Sequence, residues 1–285
     1  MKVCKKAMGI CPRDGYYSIQ TNCVEIRIWF MTDSIIRIRA GFDGDFAEGS
    51  YSLVMTAWED SMDDLMKDYR KRILPAESEL TDGKDQAVIQ GRQLKVVVDK
   101  EPFAIRIYDQ DGTMLHGDIV DLAYQEDSNR RRIHTSEISP EDCFYGFGEK
   151  TGHLDKKGRH LRMSPKDAIG ADPEFGEPLY KHVPFYIRVN EENLHALGLF
   201  YNNSYDAVFD MGNERSGYWD SYCYYQADGG DIDLFLINGP KMASVLERYT
   251  YLTGRQAMPT KQSLGYTAST MYYAELEQNC DEEIY

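Results

Sequence analysis

The chain has 285 residues, 42% hydrophobic and 28% charged, enough for one large or two ordinary domains with a substantial core. Its formal charge of −15 argues against a phosphate-backbone partner, which would be repelled and would release no counterions, so no nucleic acid is expected. No run approaches the ~20 apolar residues of a membrane span, and residues 1–15 hold no apolar signal core, so a cytoplasmic protein is expected.

Cys4, Cys11, Cys23, Cys143, Cys223 and Cys280 form no CxxC pair and no metal-ligand spacing, and they read as reduced thiols. Over residues 17–40, Val24, Ile26, Ile28 and Phe30 alternate with Glu25, Arg27 and Trp29, and then Ile36 and Ile38 with Arg37 and Arg39. Period-two alternation of this kind predicts antiparallel strands with one face buried. Residues 51–57 read as a further strand. Residues 61–74 change period: Met62, Leu65, Met66, Tyr69 and Ile73 fall at helical spacing behind a Ser61 cap, which predicts a short helix packed on the sheet.

Strands are expected again at 87–89, 94–98, 104–108 and 114–116, the last pair joined by a turn at Asp111-Gly112. The DSNRRR run at 127–132 reads as a solvated turn. Short strands separated by Gly and Asp describe a mainly β protein, a β-sandwich.

Residues 144–187 carry six glycines, basic Lys156, Lys157 and Arg159, and acidic Asp167, Asp172, Glu174 and Glu177 between two aromatic-rich strands. A glycine cluster between strands marks positive φ or close backbone approach, and a long loop on a rigid scaffold is a natural contact surface. Phe175 offers an aromatic platform in the same loop. His153, His160, His182 and His195 lack metal-site spacing, and no nucleophile elbow is present, so no metal or cofactor is expected. Four more strands follow at 195–201, 207–211, 221–226 and 231–237. Pro240 then opens a helix with Ala243, Leu246, Tyr249 and Leu252 on one face and Gly254 past its end.

YGFGEKTG, KGRHLRMSPKDA and LYKHVPFYI, in that order from Tyr145, resemble the N-terminal domain of glycoside hydrolase family 31, the α-glucosidase and α-xylosidase family. PKMASVLERYTYLTGRQAMPTKQSLGY resembles that family's passage into its catalytic barrel. The resemblance implies a galactose-mutarotase-like antiparallel β-sandwich at 1–255. At 256–285 it implies a linker, a first strand at 263–270 and the start of a helix at 274–285, the beginning of a (β/α)8 barrel.

By the same resemblance the full enzyme is a retaining glycosidase acting on terminal α-linked glucose or xylose of oligosaccharides, without a cofactor. Its two catalytic aspartates belong to later barrel strands, outside this chain, so the chain alone is expected to be inactive. Asp167 matches the aspartate that bonds sugar hydroxyls beyond the cleaved bond, with Asp172 and Phe175 extending that rim. The alternative for Asp167 is a loop residue making an Asx-turn, and turn chemistry accounts equally for Asp172-Pro173. The expected partners are the oligosaccharide and the barrel domain, with no membrane, and the unpaired strand at 263–270 implies self-association. Two other functions stay open: a carbohydrate-binding module without chemistry, and a mutarotase, which needs an acid and a base converging in the sandwich cleft.

Overall fold

The computed structural model describes residues 1–44, 46, 49–168, 170, 172–174, 176, 178–218 and 220–265. The alternating segment folds into a meander of Tyr17–Thr21, Glu25–Thr32 and Ile35–Gly41, with Ile28 opposite Ile38. This meander and Ala7–Pro12 form one half of an eight-stranded sheet. The other half, running outward from Ile35–Gly41, is Ile232–Asn238, Ala196–Tyr201, His182–Asn190 and Asp142–Gly148.

Two smaller antiparallel sheets stand beside it. One orders Met114–Gly117, Phe103–Asp109, Leu94–Lys100, Gln86–Gly91 and Ser78–Asp82. The other orders Lys2–Val3, Tyr124–Glu126, Arg132–Glu137, Tyr222–Ala227, Ala207–Asp210 and His160–Met163. A single apolar cluster fills the space between the sheets, with Ile26, Ile28, Ile36 and Ile38 meeting Val96, Ile105, Phe209 and Tyr225.

The arginines of Ile35–Gly41 do not face solvent as the alternation predicts. Every residue of that strand is buried, because a second apolar cluster covers the outer face of the large sheet. There Trp29, Phe200 and Phe235 pack against Val245 and Leu252 of the helix Met242–Thr253. Arg37 is tolerated inside because Asp233 on the neighbouring strand takes its Nε at 2.6 Å and Nη2 at 2.9 Å, while Arg39 pairs with Asp231. The helix faces inward through Val245 and Leu252, and Leu246 points outward, 48% exposed. Gly254 ends it with φ +92°.

Three further expectations are corrected. Residues 51–57 yield only Met55–Thr56, paired in parallel with Lys71–Arg72. Residues 61–74 form one helical turn, Asp63–Met66, then a 3-10 turn Lys67–Tyr69, and neither buries a residue. Asp60 and Asp63 bind Arg70 there, which draws the chain into the parallel pair before a second helical turn can form. Of the three DSNRRR arginines, Arg132 is not solvated: it is 1% exposed and pairs with Glu126 and Asp43.

Met1–Gly254 and Arg255–Tyr285 are separate compact units. In the second, Lys261–Leu264 is a 3-10 turn where the strand at 263–270 was expected to begin. The remainder of that strand and the helix at 274–285 lie outside the described residues.

Candidate functional site

The long loop leaves the large sheet through Gly146, Phe147 and Gly148, all at positive φ, where the pairing with His182–Asn190 slips. A Cβ on Gly146 would lie 2.7 Å from the Phe185 carbonyl oxygen, and one on Gly148 2.7 Å from that of Lys181, so the glycine cluster does serve close approach. Phe147 turns inward, fully buried and stacked 4.9 Å from Tyr186.

Beyond this bulge the two arms of the loop are tied together. Glu149 N–H donates to the Lys181 carbonyl at 3.0 Å, and Lys166 N–H to that of Leu179 at 3.2 Å. Lys150 Nζ donates to the Arg162 carbonyl at 2.7 Å and to His182 Nδ1 at 3.1 Å. His182 Nε2–H in turn donates to the Leu179 carbonyl, which fixes the imidazole tautomer.

Asp167 sits on this tied base, exposed, and accepts a hydrogen bond from the Tyr180 hydroxyl across the loop. That bond, with the nearby negative charge, raises the Tyr180 phenol above its usual pKa. Asp172 belongs to another turn. Its Oδ1 accepts from Glu174 N–H at 2.8 Å and its carbonyl from Gly176 N–H at 2.7 Å, an Asx-turn. Phe175 lies outside the described residues.

A cleft of about 810 Å³ opens beside the loop base, between Pro165 and His182 on one side and Asn202 and Asp206 on the other. Tyr51 and Tyr205 flank it, 72% and 57% exposed, amphipathic rings of the kind that stack on sugars. Its floor carries Asp231 and Asp233. Burial pushes the Asp231 carboxyl above its usual pKa despite Arg39. Burial opposes ionisation of Asp233 too, but the Arg37 charge and hydrogen bonds outweigh it and hold that carboxyl low.

Sequence patterns did not single out the cluster inside the sandwich, His116, Asp118 and His134. His116 and Asp118 are two apart and so share a strand face, the one signal available, and His134 joins them from a strand of the other small sheet. All three are at most 1% exposed, so they are sealed from a free sugar and do not form the open acid and base of a mutarotase. Burial pushes His116 down to about 4. It also opposes ionisation of Asp118, where the two imidazoles facing it prevail and hold the carboxyl low.

Similarity to known proteins agrees with this architecture. Over 201 residues the chain is 35% identical to "Alpha-glucosidase 2" of Bacillus thermoamyloliquefaciens, covering 70% of this chain and 24% of that protein. Over 128 residues it is 34% identical to "Alpha-glucosidase" of Saccharolobus solfataricus, covering 45% of this chain and 18% of that one. The chain thus spans a quarter or less of these relatives. A solved GH31 dextranase of Flavobacterium johnsoniae superposes with a TM-score of 0.78 at 22% identity, over 93% of this chain and 30% of that one. A profile described as "Glycosyl hydrolase 31 N-terminal galactose mutarotase-like domain" matches residues 25–210. With its mainly antiparallel sandwich and the ordered motifs of the central loop, the chain belongs to glycoside hydrolase family 31, by way of that N-terminal domain.

Proposed function

We propose that this chain is the structural and substrate-rim domain of a retaining α-glycosidase that removes terminal α-linked glucose, or in second place xylose, from oligosaccharides. The carboxylate pair of such an enzyme, ~5 Å apart, belongs to a barrel domain outside these residues. One observation carries the rim role: Asp167 is an exposed carboxylate held across the loop by Tyr180 rather than consumed inside the fold. A fixed carboxylate that can accept sugar hydroxyls is a geometrically specific contact. Glucose is preferred because both relatives above are α-glucosidases.

The test uses the complete enzyme encoded by the reading frame containing this chain. Asp167→Asn keeps an oxygen for Tyr180 and so keeps the loop. It should lower kcat/KM for a disaccharide by about ten- to a hundredfold while sparing an aryl glucoside whose leaving group does not use that subsite. Equal losses on both substrates would indicate collapse of the loop, and no loss on either would remove Asp167 from the site. A second reading, sugar binding without chemistry, draws on the cleft flanked by Tyr51 and Tyr205. Calorimetry with maltose separates the two, since only a binding module has an affinity that survives in this chain alone and falls in Tyr205→Ala.

A further inference from the structure

We propose that His116, Asp118 and His134 form a buried structural site for a divalent transition metal, zinc by its donor set. Asp118 Oδ1 lies 3.0 Å from His134 Nε2 and 3.6 Å from His116 Nε2, and the ligand atoms of all three residues lie within 4.8 Å of one another. Zinc bonds to imidazole nitrogen and carboxylate oxygen at about 2.0–2.2 Å, which places tetrahedral ligand atoms about 3.3 Å apart. The two measured separations bracket that value.

The remaining atoms of each residue are arranged as outer partners of a metal commonly are. Asp118 Oδ2 accepts the Ile105 N–H at 2.9 Å, which turns Oδ1 toward the imidazoles. His134 Nδ1 lies 2.8 Å from the Tyr201 hydroxyl, so the tautomer that ligates through Nε2 has a fixed acceptor for its Nδ1–H. The independent sign is His116. Its side chain is 0% exposed, and neither ring nitrogen has a hydrogen-bond partner. A buried imidazole without a bond is costly unless something absent from the polypeptide satisfies it. The Tyr124 hydroxyl, buried and also without a partner, belongs to the same neighbourhood, its ring 4.9 Å from that of His134, and is a candidate fourth donor.

Arg188 lines the same cavity as His116, and its charge is met by Asp142 at 3.9 Å and by the carbonyls of Leu115 and Glu137. That 230 Å³ cavity lies beside the cluster, and Asp118 and His134 do not reach it. The site would join two sheets already linked by the Asp118–Ser136 bridge, with His116 on Met114–Gly117 and His134 on Arg132–Glu137. A metal there is a staple across the inner layer of the sandwich, and its binding energy adds to folding.

Because the ligands are sealed, the metal enters during folding, so the 285-residue chain is unfolded in guanidinium with a chelator and refolded with or without Zn²⁺. After gel filtration the zinc-refolded protein should hold one zinc per chain and melt several degrees higher. Refolding with Co²⁺ should give the intense visible absorption of a tetrahedral site. His116→Leu, which breaks no hydrogen bond, should fold with the same circular dichroism and lose both metal and melting shift. His160→Ala, an exposed control, should keep them. A wild type refolded with zinc that retains none, or a His116→Leu protein that retains as much, overturns the proposal. If His116→Leu does not fold, zinc stoichiometry and the cobalt spectrum of the wild type decide alone.

Discussion

Arg37 and Asp233 show what a charge inside this sheet requires. The guanidinium is bidentate to the carboxylate, and its carbon lies 3.7 Å above the Trp58 ring and 4.7 Å above that of Trp29. Asn202 adds a third bond, Nδ2 to Asp233 Oδ2 at 2.9 Å. Asp233→Ala strands a buried cation without its carboxylate and should cost roughly 3–5 kcal/mol in urea unfolding. The pH dependence follows from the lowered Asp233 pKa. An unfolded aspartate titrates near 3.9, so the pair's contribution is complete above about pH 4 and is lost as pH falls through the lower folded value. The wild-type urea midpoint should therefore drop on acidification below about pH 4, and Asp233→Asn should flatten that limb. An unchanged slope would remove this pair from the acid response. The alternation at 35–41 could not show that Arg37 is buried, since the helix covering it lies some two hundred residues further along. The matching Arg-x-Arg and Asp-x-Asp at 37–39 and 231–233 were visible all along, and period two puts both on one face of neighbouring strands, with Asp233 opposite Arg39 and diagonal to Arg37.

At the scale of elements, strands with one apolar stripe were legible and short segments governed by side-chain ties were not. The glycine-rich exit from the sheet was legible, because glycine is the residue that suits both positive φ and close approach. Gly148→Ala meets both obstacles, φ +83° and backbone atoms at 2.7 and 2.9 Å, whereas Gly158→Ala, at φ +72°, has open space. The second should cost about 1 kcal/mol for backbone strain and the first clearly more, as thermal melts of the two variants would reveal. The helix Met242–Thr253 was expected, and Tyr249 and Leu252 do face inward, but Val245 rather than Leu246 continues that face. Leu252→Ala, at full burial, should cost about 2–5 kcal/mol. Leu246→Ala, half-exposed, should stay within about 0.5 kcal/mol. Equal costs in urea titrations would reverse the assignment. For the loop, the sequence showed Asp167 as a loop carboxylate but not its bond to Tyr180, because that pairing depends on how the two arms are tied by Lys150, Lys166 and His182.

For the whole molecule, the family and the sandwich were legible through ordered motifs, and the layering was not. One large sheet is apolar on both faces, against two smaller sheets inside and a helix outside, and only the inner half of that burial leaves a two-residue period in the chain. In the proposed reading the carboxylate pair that hydrolysis requires belongs to a barrel domain outside these residues. Accordingly, this chain alone should cleave no aryl α-glucoside above background. Turnover abolished by an active-site-directed glycosidase inhibitor would overturn that expectation.

The slipped pairing at Gly146 to Gly148 also limits which changes of length this region can accept. Phe144 and Phe147 are three apart, yet both are buried in one core, which a regular strand would not permit. The bulge therefore works as a parity switch: removing one residue from it would turn Phe144 or Phe147 away from the core. Within 144–148 a change of even one residue in length would therefore cost a buried aromatic, while substitutions that respect the backbone would leave the exit of the loop in place.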